Sequence, residues 1–417
     1  MSAAGSLSAV SCRAVSSSAV SSSAVSSSAV SSSAVSSSAV LGSGVDLGLV
    51  VDVVVGVDTH ADTHTAAFCD GRGAVLQVAT VGTDVDGMSA LLEVLEGVVA
   101  AVDCPRVVFA VEGSGSYGAG LAELVRRWGF TVIEVRKAGR PAGVAKNDAN
   151  DAVQIARAAL RQLSSPDLAE RIAVPREGHI RAGLRALCVA RDKHVAHKTA
   201  HRNQFRAVIL TGPTPVRQRL RGLTERERLA AVARMRPRPV LPQPGKDLAA
   251  AAEAAQAYAV AQTYAVLAAV AATITHLDET IKKFDLAIDA VTARYAAPLR
   301  DQVGVGPITA ADLLIGYSHD RFRSEAAFAS LAGVAPLEAS SGRTTRHRLN
   351  RGGDRHLNAA LHRIVLTRRC RGHQPTLAYI ARRAEHDRMN DKEINRCLKR
   401  AVARNMYRIL HTLPELP

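Results

Sequence analysis

Residues 50–80 read VVDVVVGVDTHADTHTAAFCDGRGAVLQVAT, and the pattern of this stretch decides the fold. VVDVVVGVD (50–58) is β-branched and apolar almost throughout, as a buried strand is. THTAAFCD (63–70) and AVLQVAT (74–80) flank a DGRG turn at 70–73, which predicts a hairpin. Working outward, an amphipathic helix is expected at about 84–100, then a strand, RVVFAVE (106–112). A helix over 117–128, the strand TVIEV (131–135) and a helix over about 148–162 follow.

Three strands in series, then strands alternating with helices, predict a ribonuclease-H-like α/β domain over 49–165. Other α/β folds accommodate the same order. Upstream, residues 11–40 repeat a five-residue unit, SCRAV once and SSSAV five times, and cannot form a buried face. The expectation for 1–44 is a disordered tail. Downstream, 176–297 reads as a helical region. It holds a long basic helix (176–210), the Pro/Arg-rich break RMRPRPVLPQPG (234–245) and an Ala-rich helix (247–297). A helix of that length points to a coiled-coil hairpin or dimerisation arm. The last domain, 300–417, opens with QVGVGPITAADLL (302–314). Its glycines, proline and following helix read equally as an ordinary loop or as a helix-hairpin-helix-like segment offering backbone N–H groups to a phosphate.

The 417 residues allow two or three domains, with 47% hydrophobic and 22% charged residues. Aromatics are 4%, so Val, Leu, Ile and Ala must build the core. The net charge is +15 and unevenly placed: ten basic against fifteen acidic residues to position 160, then 43 against 23. The basic C-terminal part is therefore expected to hold a polyanion. Six scattered cysteines without a C-x-x-C pair exclude a disulfide framework and a zinc ribbon, and suit a reducing, cytoplasmic setting. No run of about 18 strongly apolar residues is read, no membrane partner is expected, and 254–274 is expected to be a soluble, mostly alanine helix interrupted by Gln256, Gln262 and Thr263. The N-terminus lacks the features of a secretory signal.

Four carboxylates stand where chemistry could be done. Asp58 and Glu112 end hydrophobic strands, and Asp148 and Asp151 lie three apart in KNDANDAVQIA, on one face of a helix start. Like charges so placed repel, and a divalent cation is the simplest compensation. Mg²⁺ takes hard oxygen ligands beside substrate phosphates, and a pair of ions can polarise both oxygens of a phosphodiester. Asp148 could instead cap its helix, and Asp52 and Asp62 rival Asp58.

GVDTHADTHTAA, VEGSGSY and KNDANDA resemble the DEDD motif of the one-ten family of insertion-sequence transposases. VGVGPITA, FASLAGVAPLEASSGR (328–343) and NRGGDRHLNAAL (350–361) are similar to that family's second half, so the likeness covers roughly 50–165 and 300–375. It implies a RuvC-like domain paired with a C-terminal transposase domain, and DNA recombination. The DEDD acids would be Asp58, Glu112, Asp148 and Asp151. The nucleophile would be Ser341, directly before a glycine, although Ser340 stands where family members often carry Gln. The family is also associated with a noncoding guide RNA bridging donor and target DNA.

Read on its own, 343–371 holds nine arginines, among them Arg343, Arg346, Arg348, Arg351 and Arg355, and one acid, Asp354. Guanidinium forks suit phosphate oxygens and charge developing on a transferring phosphoryl group, and a serine among them can hold that group covalently. His194, His197 and His201 share one face of the long basic helix. With Arg191, Lys193, Lys198 and Arg202 beside them, they read as a nucleic-acid-facing surface. The expectation is a Mg²⁺-assisted DNA transposase that binds DNA and a guide RNA and assembles as a dimer or tetramer. A junction-resolvase-like nuclease using water is the alternative within the same fold, and a non-enzymatic nucleic-acid-binding protein is the alternative outside it.

Overall fold

The computed structural model describes residues 51–100, 105–135, 147–165, 172–176, 178–243, 247–322, 324–338, 340, 347–348, 350, 352–387 and 389–417. The expected tail at 1–44 lies outside the described residues. The chain divides into two compact units, Met1–Glu177 with Ser318–Arg323, and Gly178–Tyr317 with Ser324–Pro417.

The first unit is a five-stranded mixed sheet in the order β3-β2-β1-β4-β5. Its strands are β1 (Val53–Thr59), β2 (Thr63–Asp70), β3 (Val75–Gly82), β4 (Val107–Val111) and β5 (Thr131–Glu134). The β1–β2 and β2–β3 pairs are antiparallel, while β1–β4 and β4–β5 are parallel. Helices α1 (Val85–Val99), α2 (Ala119–Arg127) and α3 (Asp148–Ser164) complete it. The arrangement fits the ribonuclease-H-like expectation.

Side chains alternate across a strand, so β1 feeds two cores. Val53, Val55 and Val57 pack with Phe68, Phe109 and the buried leucines of α1 and α2. Val54 packs on the opposite face with Cys69, Val108, Ala110 and Ile133 beneath Ile155 and Ala159 of α3. Each fully buried aliphatic side chain contributes roughly 1.5–3 kcal/mol, which is why a domain so poor in aromatics holds together.

The second unit is helical. Its elements are α4 (His179–Thr211), α5 (Thr214–Leu220), α6 (Glu225–Ala233), α7 (Leu248–Tyr295), α8 (Ala297–Arg300), α9 (Pro307–Gly316), α10 (Glu325–Leu331), α11 (Arg355–Cys370), α12 (Gln374–Glu385) and α13 (Asp391–Thr412). A two-stranded ribbon joins β6 (Leu337–Glu338) to β7 (His347–Arg348). The two short helices α5 and α6 carry no long periodicity and were not anticipated. They fill the space between α4 and α7 with Val216, Leu220 and Val232, and a Thr224–Glu227 capping box starts α6.

Arg191 pairs with Asp285 and Lys198 with Asp278, so positions rise along α4 as they fall along α7, and the two helices run antiparallel. Arg202 pairs with Glu225 of α6, and the His194 ring meets Phe284 edge-on. Three cations of the face expected to meet nucleic acid, Arg191, Lys198 and Arg202, are thus paired with acids of α7 and α6, while Lys193 and His197 stay exposed. An 18-residue window of α7 reaches a mean hydropathy of 1.5, because alanine scores as apolar although it buries little surface. Tyr264, Leu267, Val270, Ala271 and Ile274 of this helix pack into the α4–α6 core.

Candidate active site

Asp58 follows Val57 on β1, so it points to the same face as Val54 and Gly56. Val57 pairs with Val111 in the parallel β1–β4 ladder, so Glu112, the next residue along, leaves β4 towards that face too. The strand ends are tied: Glu112 donates its N–H to the Val57 carbonyl at 3.3 Å, and the Thr59 hydroxyl donates to the Glu112 carbonyl at 2.9 Å.

Helix α3 covers this face because position 56 is glycine. A Cβ there would stand 2.3 Å from the Ala152 carbonyl oxygen and 2.4 Å from the Ala156 nitrogen. With hydrogen in its place, the α3 backbone rests directly on β1. Asn147 is the cap of α3, its side chain accepting from the Asn150 N–H at 2.7 Å. Asp148 is therefore not the cap. It stands in the first turn with Asp151, where the helix dipole favours negative charge.

Among the described residues, Asp58, His60 and Asp148 bring ligand atoms within 4.8 Å of one another. His60 Nε2 lies 3.3 Å from Asp58 Oδ2 and 3.6 Å from Asp148 Oδ1. Glu112 and Asp151, both half-buried, are not part of that closest group. His60 was passed over in the sequence; its signal is position, two residues past a strand-end aspartate. Two hard carboxylates with an imidazole between them fit a divalent cation, which removes the like-charge repulsion and takes both donor types. The rival acids have other settings. Asp52, at the opposite end of β1, accepts from the Arg106 N–H at 2.9 Å and from its guanidinium at 3.3 Å. Asp62 is exposed in the β1–β2 turn.

In the second unit, Ser341, Arg343, Arg346 and Arg351 lie outside the described residues. Ser340, Arg348 and Arg355 are exposed. What frames this segment is described. Asn358 donates its side-chain amide to the Ala332 carbonyl at 2.8 Å, and the Asp354 N–H donates to the Leu331 carbonyl at 2.6 Å. Gly333, at φ +66°, meets Gly353 so closely that a Cβ on Gly353 would fall 2.4 Å from the Gly333 nitrogen. Asp354, the lone acid of the arginine-rich stretch, caps α11 by accepting from the His356 and Leu357 N–H groups. Three arginines expected on the phosphate face are engaged elsewhere: Arg363 with Asp312, Arg368 with the Val303 carbonyl and Arg369 with Asp391.

A ribonuclease-H-like sheet carrying an acidic cluster at its strand ends defines an enzyme class that acts on polynucleotides. Residues 55–212 match a transposase family of the DEDD IS110 type, and residues 296–381 match the Transposase IS116/IS110/IS902 family. The chain belongs to the IS110 family of transposases, enzymes that act on DNA. No curated protein matches it.

Proposed function

We propose that the protein cuts and rejoins DNA strands at the ends of an insertion sequence through a serine nucleophile, with Mg²⁺ held by the DEDD acids. The observation that carries this reading is the order of the two family matches, 55–212 then 296–381, with Asp58 and Asp148 converging in the first. Asp58, Asp148, Glu112 and Asp151 would hold the ion, with His60 beside them. When bound, it stabilises charge on the attacking and leaving oxygens of the phosphodiester.

The residues of the chain divide the remaining work. Ser341 Oγ forms a bond to phosphorus as the P–O bond to the departing strand end breaks; the serine proton leaves and the departing oxygen is protonated. The phosphoserine conserves the bond for rejoining, when an incoming hydroxyl displaces Oγ. Arg343, Arg346, Arg348, Arg351 and Arg355 hold phosphate oxygens, which carry extra negative charge in the transition state. A guide RNA selects the DNA, and the α4–α7 pair serves as a coiled-coil arm assembling a dimer or tetramer in the cytoplasm.

A nicked suicide substrate tests the serine step. With Mg²⁺ present, a protein–DNA adduct should survive on a denaturing gel, map to Ser341, and vanish in Ser341→Ala but not in Ser340→Ala. Mapping to Ser340 would move the nucleophile by one residue. Cleavage by both variants with no adduct from the wild type would replace serine by water, as in a junction-resolving nuclease.

A further inference from the structure

The turn at 302–306, read in the sequence equally as a loop or as a phosphate cradle, forms one wall of a cavity of about 650 Å³ in the second unit. Arg300, Arg363 and Arg371 line it, with Gly304, Gly306 and Thr309. One carboxylate, Asp301, lines it as well. We propose that this cavity binds a backbone phosphodiester of nucleic acid.

Three independent features converge. The first is the guanidinium set. Arg363 is held by the buried Asp312, and Arg300 by Asp289 at 2.8 Å and the Thr292 hydroxyl at 3.0 Å. Among the described residues no carboxylate pairs with Arg371. Two forks are thus fixed in place and a third is available to an anion. The second is buried charge beneath the same turn. Arg368 is 8% exposed, and its one described partner is the Val303 carbonyl, to which Nε donates at 2.8 Å. A guanidinium so placed has been stripped of water without a counter-charge, and an anion at the turn supplies one.

The third is the backbone. Gly304 stands at φ +91°, and a Cβ on it would lie 2.9 Å from the Ile364 carbonyl oxygen, so the turn is locked against α11. Gly306, the N-cap of α9, offers no side-chain cap to the orphan N–H groups of the first turn, and Pro307 occupies N1. Those amides, like the Arg371 guanidinium, favour a phosphate. The lining has no aromatic ring on which a base could stack, so recognition is of the backbone.

This rests on the reading that the second unit binds nucleic acid, and the test separates the two. Binding of a 30-base-pair DNA duplex and a 30-nucleotide RNA to the full chain is measured across salt concentrations. Arg371→Ala removes the available fork. Gly306→Asp places a carboxylate where the phosphate would lie. Space around Gly306 is open, and Asp is a better N-cap than Gly, so this variant should melt no lower than the wild type. Each variant should weaken binding about tenfold and lower the salt slope by about one. Arg219→Ala, which removes the same charge from the exposed face of α5, should do neither. The nucleic acid that shows the loss, DNA or RNA, names the backbone bound. Wild-type affinity in both cavity variants, or an equal loss in Arg219→Ala, overturns the site. A wild-type chain that binds neither probe overturns the site together with the reading beneath it.

Discussion

The first unit places Asp58 at the end of a strand and Asp148 at the start of a helix, whereas in the second Ser340, Arg348 and Arg355 are exposed. In the first, strand parity and one glycine suffice. Val57 opposite Val111 aims Asp58 and Glu112 at one face, and Gly56 admits α3 to that face. In the second, the base of the ribbon is fastened through Gly333, Gly353, Asp354 and Asn358. A site that holds a cation needs its ligands fixed to within tenths of an ångström, which is what strand parity and a buried glycine supply.

The sharpest way to break that comparison is to remove charge from the rigid site alone. Asp58→Asn and Asp148→Asn should each lower strand cleavage by more than about 100-fold, beyond the 10–100-fold typical of residues behind a metal ligand. Nucleic-acid binding should stay within about twofold if, as proposed, it rests on the basic second unit. Full cleavage by either variant, or cleavage in excess EDTA, would take the acids out of the reaction.

Next in size is the glycine beneath the helix. Gly56→Val should destabilise the first unit by about 3 kcal/mol or more, because the contact is with α3 backbone, which cannot rotate away. Cleavage should fall with it, as Asp148 moves away from Asp58. A variant that melts like the wild type would mean that α3 does not sit on β1 as described.

These two tests mark what was legible beforehand. The central strands of the first unit follow from continuous apolar runs, because a strand buried on both faces is written into local sequence that way. Asp58 and Asp148 could be read as partners because both sit at element ends. His60 could not, since a histidine in a turn looks like any exposed polar residue until α3 is brought across it. The pairing of Arg191, Lys198 and Arg202 is hidden for the converse reason: the acids that claim them are 94, 80 and 23 residues away. Ser341 became visible through family resemblance, and no local physics distinguishes it from Ser340.

The two units should also answer acid in opposite directions. His64 is 2% exposed, and burial holds its pKa below the usual imidazole range. The unfolded chain then takes up the proton more readily, so the first unit loses stability as pH falls through that range. Asp312, in the second unit, is pushed up to about 6 by burial, against the pull of Arg363 and His356. Here the folded state holds the proton more tightly, so stability falls as pH rises from about 4 to about 6, by roughly 2–3 kcal/mol in all. Amide exchange, corrected for intrinsic rates, should show β1 less protected and α9 better protected at pH 5 than at pH 7. Asp312→Asn should flatten the response of α9 and leave that of β1. Parallel responses would show that neither buried group governs its unit.

The smallest expected effect is the control that makes the first test specific. Asp52 stands immediately before β1, six residues ahead of Asp58, and is a nearby carboxylate of the same sheet. If any carboxylate of that sheet served, Asp52→Asn would impair cleavage as Asp58→Asn does. The position of Asp52 argues otherwise. It sits at the entry of β1 and accepts from Arg106, far along the strand from the α3 N-terminus. The amide of asparagine keeps an oxygen to accept from the Arg106 N–H and loses the ionic part of a half-exposed pair, a change of about 1 kcal/mol or less. Asp52→Asn should therefore cut DNA at the wild-type rate and melt within about two degrees of the wild type. A large loss of cleavage at unchanged melting temperature would mean that net negative charge on the sheet, rather than its convergence at one end, is what the reaction requires.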